Sequence, residues 1–344
     1  MSRTGPPAPA DRVNPHAGEA AVFLDRWVRR TGLLPSFSAQ QRLRRAGCVE
    51  LAARAVPDAG GERLRRVAVW FVWFFALDDR DGHGGPGPFT DPFADPQAEL
   101  LPCLPLDAGR TPPPRTARQR ALAEVWRMTA PAMSLAWRQR FVADFRTFLD
   151  RRYGPYGPVT APVPALGAAA RGPLPGLVEY AARCEVPGNV RDLPSFRVVQ
   201  AAAGDVLAGL HGLRVPGART PRAAPDGDGH AHEARLEGFC SALAELRQGV
   251  AAGDFPVEDV AAVAAHAVAL ESWLAGHLAW ALRGGPGPGP GGTARGPAHG
   301  RRLSLVEDAA SPRGVFDVLR PRRPVPPPAP STGGGTEALQ GGRP

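Results

Sequence analysis

Asp78, Asp79 and Asp81 stand together at the end of the apolar run Trp73-Phe74-Phe75-Ala76-Leu77. On a helix the aromatic side chains can line a buried surface while the acids meet water at its rim. Carboxylates this close repel one another, and a bound divalent cation relieves the repulsion. Mg²⁺ takes oxygen ligands and is commonly held by one or two carboxylates plus substrate phosphates. An apolar pocket with Mg²⁺ at its mouth suits a substrate with a greasy body and a diphosphate head. Two plainer readings compete with this one. Trp70, Phe71, Phe74 and Phe75 recur at a spacing that core aromatics usually show. The acids alone could be a solvated helix end, although negative charge at a helix C-terminus opposes the macrodipole.

The elements that must position these residues read as helices. Asn14-Pro15 resembles an N-cap followed by proline at the first helical position. Helical spacing then runs through Trp27-Val28, over Gln41 to Ala55, and over Glu62 to Asp79. Thr116 to Arg152 reads as two helices broken at Pro131, Leu177 to Cys184 as one more, and Tyr153 to Pro175 as loop. Phe196 to Leu213, Ala231 to Ala251 and Val257 to Arg283 complete the set. Strand-like alternation is almost absent, so the expected class is all-α. Residues 1–13 read as a disordered tail, 14–283 as the helical domain, and 284–344 as a Gly/Pro-rich disordered tail.

Composition narrows the function classes. The net charge of +8 over 344 residues is carried by arginine, with no lysine in the chain. Arginine doublets, among them Arg29-Arg30, Arg44-Arg45, Arg65-Arg66 and Arg151-Arg152, are scattered, whereas a nucleic-acid footprint is a stripe or cluster. No nucleic-acid partner is expected. No apolar run reaches the roughly 18 residues of a membrane span, and the Pro-rich N-terminus lacks the apolar core of a secretory signal. Cys48, Cys103, Cys184 and Cys240 are isolated and fit reduced thiols in a cytoplasmic protein. Asp226, Asp228, His230, His232 and Glu233 look at first like a metal cluster, but acids there suit the start of the following helix.

Several segments, in order, resemble the bacterial class I terpene synthases. Asn14-Pro15-His16-Ala17 with Trp27 to Leu33 is similar to the family's opening helix, and the run into Asp78-Asp79-Arg80-Asp81 to its aspartate-rich motif. Pro175 to Arg183 is similar to the segment bearing the diphosphate-sensing arginine, and Trp273 to Trp280 to the last helix. The resemblance implies a single-domain helical bundle around a central apolar cavity. It also implies a lyase of isoprenoid secondary metabolism that ionises a prenyl diphosphate, farnesyl diphosphate by analogy, with Mg²⁺. Carried over residue by residue, Asp78, Asp79 and Asp81 would hold metal, and Arg183 would bind the diphosphate. Phe74, Phe75 and Trp280 would face the substrate, Phe75 and Trp280 from opposite walls. The alternative for Arg183 is an ion pair with Glu179 on the same helix face. A homodimer is left open.

The chain departs from the family pattern at identifiable positions. Gly82 stands where the motif has its third acid, and Asp81 comes one residue early. The second metal motif aligns on His211, Gly212, Val215 and Arg219, of which three cannot ligate Mg²⁺. A competing placement keeps Asp192 and Ser195 but puts Arg191 and Val199 at the other positions. The C-terminal Arg-Tyr pair is absent, since Gly284 follows Arg283. These departures support a second expectation, a catalytically impaired terpene-synthase-like protein that binds an isoprenoid or a partner protein.

Overall fold

The computed structural model describes residues 12–78, 95–107, 112–153, 165–212 and 227–282. Among them no strand occurs. The chain runs α1 (Ala17–Thr31), α2 (Phe37–Ala46), α3 (Cys48–Ala55), α4 (Gly61–Asp78), α5 (Pro96–Leu100), α6 (Ala117–Thr129) and α7 (Leu135–Tyr153). It continues through α8 (Ala165–Ala169), α9 (Leu174–Ala182), α10 (Gly188–Arg191), α11 (Pro194–Gly212), α12 (Gly227–Ala252) and α13 (Val257–Leu282). The break expected at Pro131 is a 3₁₀ turn over Ala130–Ala132 between α6 and α7. The expected helix from Gln41 to Ala55 is two helices, because Gly47 takes a left-handed φ of 61° between them. Asn14 is not the cap of α1, which follows His16. It is instead buried and donates from Nδ2 to the carbonyls of Val56 (2.8 Å) and Ala59 (2.6 Å), tying the chain start to the turn before α4.

Helix α4 owes its central place to its sequence. Val67 through Phe74 are all fully buried, and a helix apolar all round must be covered on every side. It packs against α1, α3, α6, α8 and α9. Trp70 lies at its middle, with ring centroids 5.2 Å from Phe141 and 6.0 Å from Phe74. The aromatic layer continues through Trp137 and Trp126. Each such side chain contributes roughly 1.5–3 kcal/mol by burial. The indole N–H groups are satisfied within this layer: Trp70 donates to Thr129 Oγ1 (3.1 Å), Trp73 to Arg118 O (3.3 Å) and Trp126 to Pro105 O (2.9 Å). Helix α6 is started by a reciprocal cap, in which Thr116 Oγ1 accepts from Gln119 N and Gln119 Oε1 accepts from Thr116 N, each at 3.1 Å. On the far side, α13 packs on α3, α9, α11 and α12.

Buried imidazoles give this fold a pH dependence. His266 on α13 is fully buried, and burial followed by the charge of Arg191 pulls its pKa down to about 3. His277 is likewise held well below its usual value by burial and by His211. An unfolded histidine titrates near 6.5, so below that pH the unfolded state binds more protons and stability falls as pH falls toward 3. For His266 the loss between pH 7 and pH 5 comes to about 2 kcal/mol. The urea midpoint should drop accordingly, and His266→Asn should reduce that drop. Equal pH slopes in the two proteins would refute the assignment. Comparing them cancels the carboxylates.

Candidate functional site

Asp78 ends α4 with its side chain half-buried, and both of its oxygens are engaged. Arg152 Nη2, from the last turn of α7, donates to Oδ1. The backbone N–H of Ala165, the first residue of α8, donates to Oδ2 at 2.7 Å. The charge of Arg152 offsets the conflict between Asp78 and the α4 dipole, and it suits the C-terminal end of α7. Arg152 is only 8% exposed. Its Nε donates to Tyr153 Oη at 3.0 Å, and its guanidinium lies 5.3 Å from the centre of the Tyr153 ring. Burial alone would lower the Arg152 pKa, but Asp78 and Tyr153 outweigh it and the net shift is upward. Burial also raises the Tyr153 pKa against the opposing charges of Arg152 and Arg118. The group is therefore a charged guanidinium, a carboxylate and a neutral phenol.

The other expected site residues are distributed unevenly around this group. Asp79 and Asp81 lie outside the described residues. Phe75 is partly buried, one turn before Asp78. Phe74 is fully buried between Trp70, Trp73 and Phe148. Its ring is thus part of the core and faces no open cavity. Trp280 is buried on α13, with its ring centroid 5.8 Å from that of His211. Phe71 joins the two sides, edge-on to Trp273 (5.4 Å) and to His277 (5.6 Å). Phe75 and Trp280 each stand one turn further along their helices. The concavities described lie elsewhere, a 130 Å³ groove bounded by Leu246, Val250, Ala264 and Val268 and a 540 Å³ one by Arg12, His16 and Asp58.

Arg183 is not brought to Asp78. Helix α9 ends at Ala182 and Arg183 caps it in the left-handed conformation, φ 55°. Its N–H reaches Tyr180 O (3.4 Å), and the Cys184 N–H reaches Glu179 O (3.1 Å), a Schellman-type ending. The exposed Arg183 side chain raises the positive potential at Arg63, which itself donates to Tyr180 O. Arg63 lies fifteen residues before Asp78 on α4, about 22 Å along the axis. The pairing with Glu179 is not made either. Glu179 is fully buried and takes Arg140 Nη2 (3.2 Å) on Oε2 and Arg191 Nη1 on Oε1, linking α9 to α7 and α10. Burial raises its pKa although both guanidiniums oppose the shift.

On α11, the position aligned with the first ligand of the second motif holds His211. Its Nε2 lies 3.0 Å from Nδ1 of His277, and both rings are buried. Gly212 offers no donor, and Val215 and Arg219 lie outside the described residues. A hard cation prefers oxygen, so the imidazoles described on this side do not suit Mg²⁺. The α4 end does fit in donor type, since Asp78 is a carboxylate at a helix terminus. Among the described residues no group of three or more His, Cys, Asp or Glu could hold a metal. Sequence reasoning missed Arg152 and Tyr153 as neighbours of Asp78. The doublet Arg151-Arg152 was the available signal.

Comparison with known proteins falls on the same segment. Residues 69–152, from the middle of α4 to Arg152 itself, match the family model described as terpene synthase family 2, C-terminal metal binding. The chain is 34% identical over 122 residues to a (-)-beta-caryophyllene synthase ((2E,6E)-farnesyl diphosphate cyclizing) of Saccharothrix espanaensis, covering 36% of this chain and 34% of that protein. To a pentalenene synthase of Streptomyces avermitilis it is 36% identical over 130 residues, 36% of each. It thus spans about a third of the length of these curated relatives. The fold extends the likeness. A crystal structure of a-eudesmol synthase superposes with a TM-score of 0.61 at 23% identity, covering 83% of this chain and all of that one. An apo hedycaryol structure gives 0.60 at 22%, covering 78% and 95%. Over the segment that carries Asp78 the chain resembles the terpene synthases, and its all-α fold is that of these solved synthase structures.

Proposed function

We propose that the chain is a Mg²⁺-dependent terpene cyclase that ionises a prenyl diphosphate, with farnesyl diphosphate the best candidate. The observation that carries this reading is Asp78, a carboxylate ending the buried aromatic helix within the segment matched to a metal-binding family. The caryophyllene synthase relative, which cyclises farnesyl diphosphate, supports the substrate class. Asp78, with Asp79 and Asp81, would hold the cation from the α4 side. When bound, Mg²⁺ would stabilise the negative charge of the departing diphosphate. Among the described residues Arg152 is the guanidinium held on Asp78, and its planar donors suit phosphate oxygens. The partly buried Phe75 ring, with Trp280 opposite, would offer π faces to the allylic cation. The dense packing of Phe71, Trp273 and His277 behind them keeps bulk water out. Arg183 has no part in this reading. Cytoplasmic residence belongs to the proposal, supported by four unpaired cysteines.

One observation favours the second reading, an impaired protein that binds an isoprenoid or partner. Imidazoles occupy the α11 side, where oxygen ligands are needed. Incubation with geranyl, farnesyl and geranylgeranyl diphosphates and Mg²⁺, followed by gas chromatography, separates the two. A volatile product from farnesyl diphosphate is expected. Neither product nor diphosphate release from any of the three would leave only the impaired protein.

A further inference from the structure

Arg152 stands where a cation on Asp78 would stand. Its Nη2 binds Oδ1 while Ala165 N–H holds Oδ2, so each oxygen already has a partner although the side chain keeps 30% of its surface exposed. Nor is Arg152 a loose surface arm. It is 8% exposed, bonded through Nε to the Tyr153 hydroxyl, and stacked near that ring. A divalent ion and a guanidinium cannot share Oδ1 without severe like-charge repulsion. Separating a largely buried, hydrogen-bonded pair costs far more than breaking an exposed one. We infer that Arg152 is a built-in counter-cation that competes with the metal for Asp78 and sets the divalent-cation affinity of the site. Metal then binds only by exchange, with the guanidinium leaving the carboxylate. This rests on the reading of Asp78 as a metal ligand.

The test is Mn²⁺ binding to the full chain, read from the electron paramagnetic resonance of free Mn²⁺, with no substrate present. Arg152→Gln should bind Mn²⁺ about tenfold more tightly than wild type, or tighter still, because the competing charge is gone. Asp78→Asn should abolish binding in both backgrounds. Tyr153→Phe leaves every charge in place but removes one anchor of Arg152, and should tighten binding by a smaller factor, about two- to fivefold. That variant keeps the inference testable if Arg152→Gln does not fold. Unchanged or weaker binding in Arg152→Gln, or in Tyr153→Phe alone where the first is unfolded, overturns the inference if Asp78→Asn still removes binding. Binding indifferent to Asp78→Asn, or absent from every protein, overturns the metal reading of Asp78 along with it.

Discussion

Gly276→Ala is expected to destabilise the protein by about 3 kcal/mol, a large share of the 5–15 kcal/mol typical of a domain. Helix α13 crosses α3 so closely that an added Cβ at this position would fall on the carbonyl of Arg54 and the amide of Ala55. Backbone cannot rotate aside, so the two helices must separate. Trp273, His277 and Trp280 on α13 would then lose their seating against Phe71 and His211. Gly176→Ala is the natural control. There the new methyl meets Phe141 Cδ2 at 2.8 Å, and a side chain can yield, so roughly 1 kcal/mol is expected. Urea unfolding of the two variants beside wild type decides the matter. Equal losses would mean that the α3–α13 approach is not as close as described.

Asp78→Asn is expected to lower the rate of diphosphate release by about 10²–10³-fold, the usual loss when one preorganised electrostatic contact to a developing charge is removed. Asparagine keeps an oxygen that can accept from Ala165 N–H or from Arg152, but the largely buried guanidinium loses its carboxylate, so some loss of stability is expected. What disappears is the negative charge. The change is therefore a test of charge rather than of shape, provided that thermal unfolding shows the variant folded at the assay temperature. A stable variant with undiminished release would remove Asp78 from the chemistry.

The helices themselves were legible because apolar residues recur at helical spacing with proline and glycine between them. Val257 to Arg283 reads almost as α13 is found, and Pro131 breaks the α6–α7 pair as its missing N–H requires. Helix α8 was not legible. Five residues of Ala, Leu and Gly inside a Pro-rich stretch carry no periodic signal. The acid at the end of α4 was readable from its own neighbours. Its partner was not, since Arg152 lies 74 positions away and the doublet to which it belongs resembles five others. Glu179 misled for the same reason. A helix-face rule pairs it with Arg183, whereas the left-handed cap turns Arg183 outward and tertiary packing delivers Arg140 and Arg191. The aromatic run supported two readings, core or cavity wall. Phe74 is core, while Phe75 alone keeps part of its surface. Local pattern thus located helix α4, and long-range packing decided what each of its residues touches.

The most direct test of the central claim is diphosphate release from farnesyl diphosphate by the purified chain, measured with excess Mg²⁺ and again with EDTA. Release that requires Mg²⁺ and stops on chelation is the predicted result. No release with Mg²⁺, or release undiminished by EDTA, would contradict an account in which carboxylates at the end of α4 hold the metal that draws the diphosphate away.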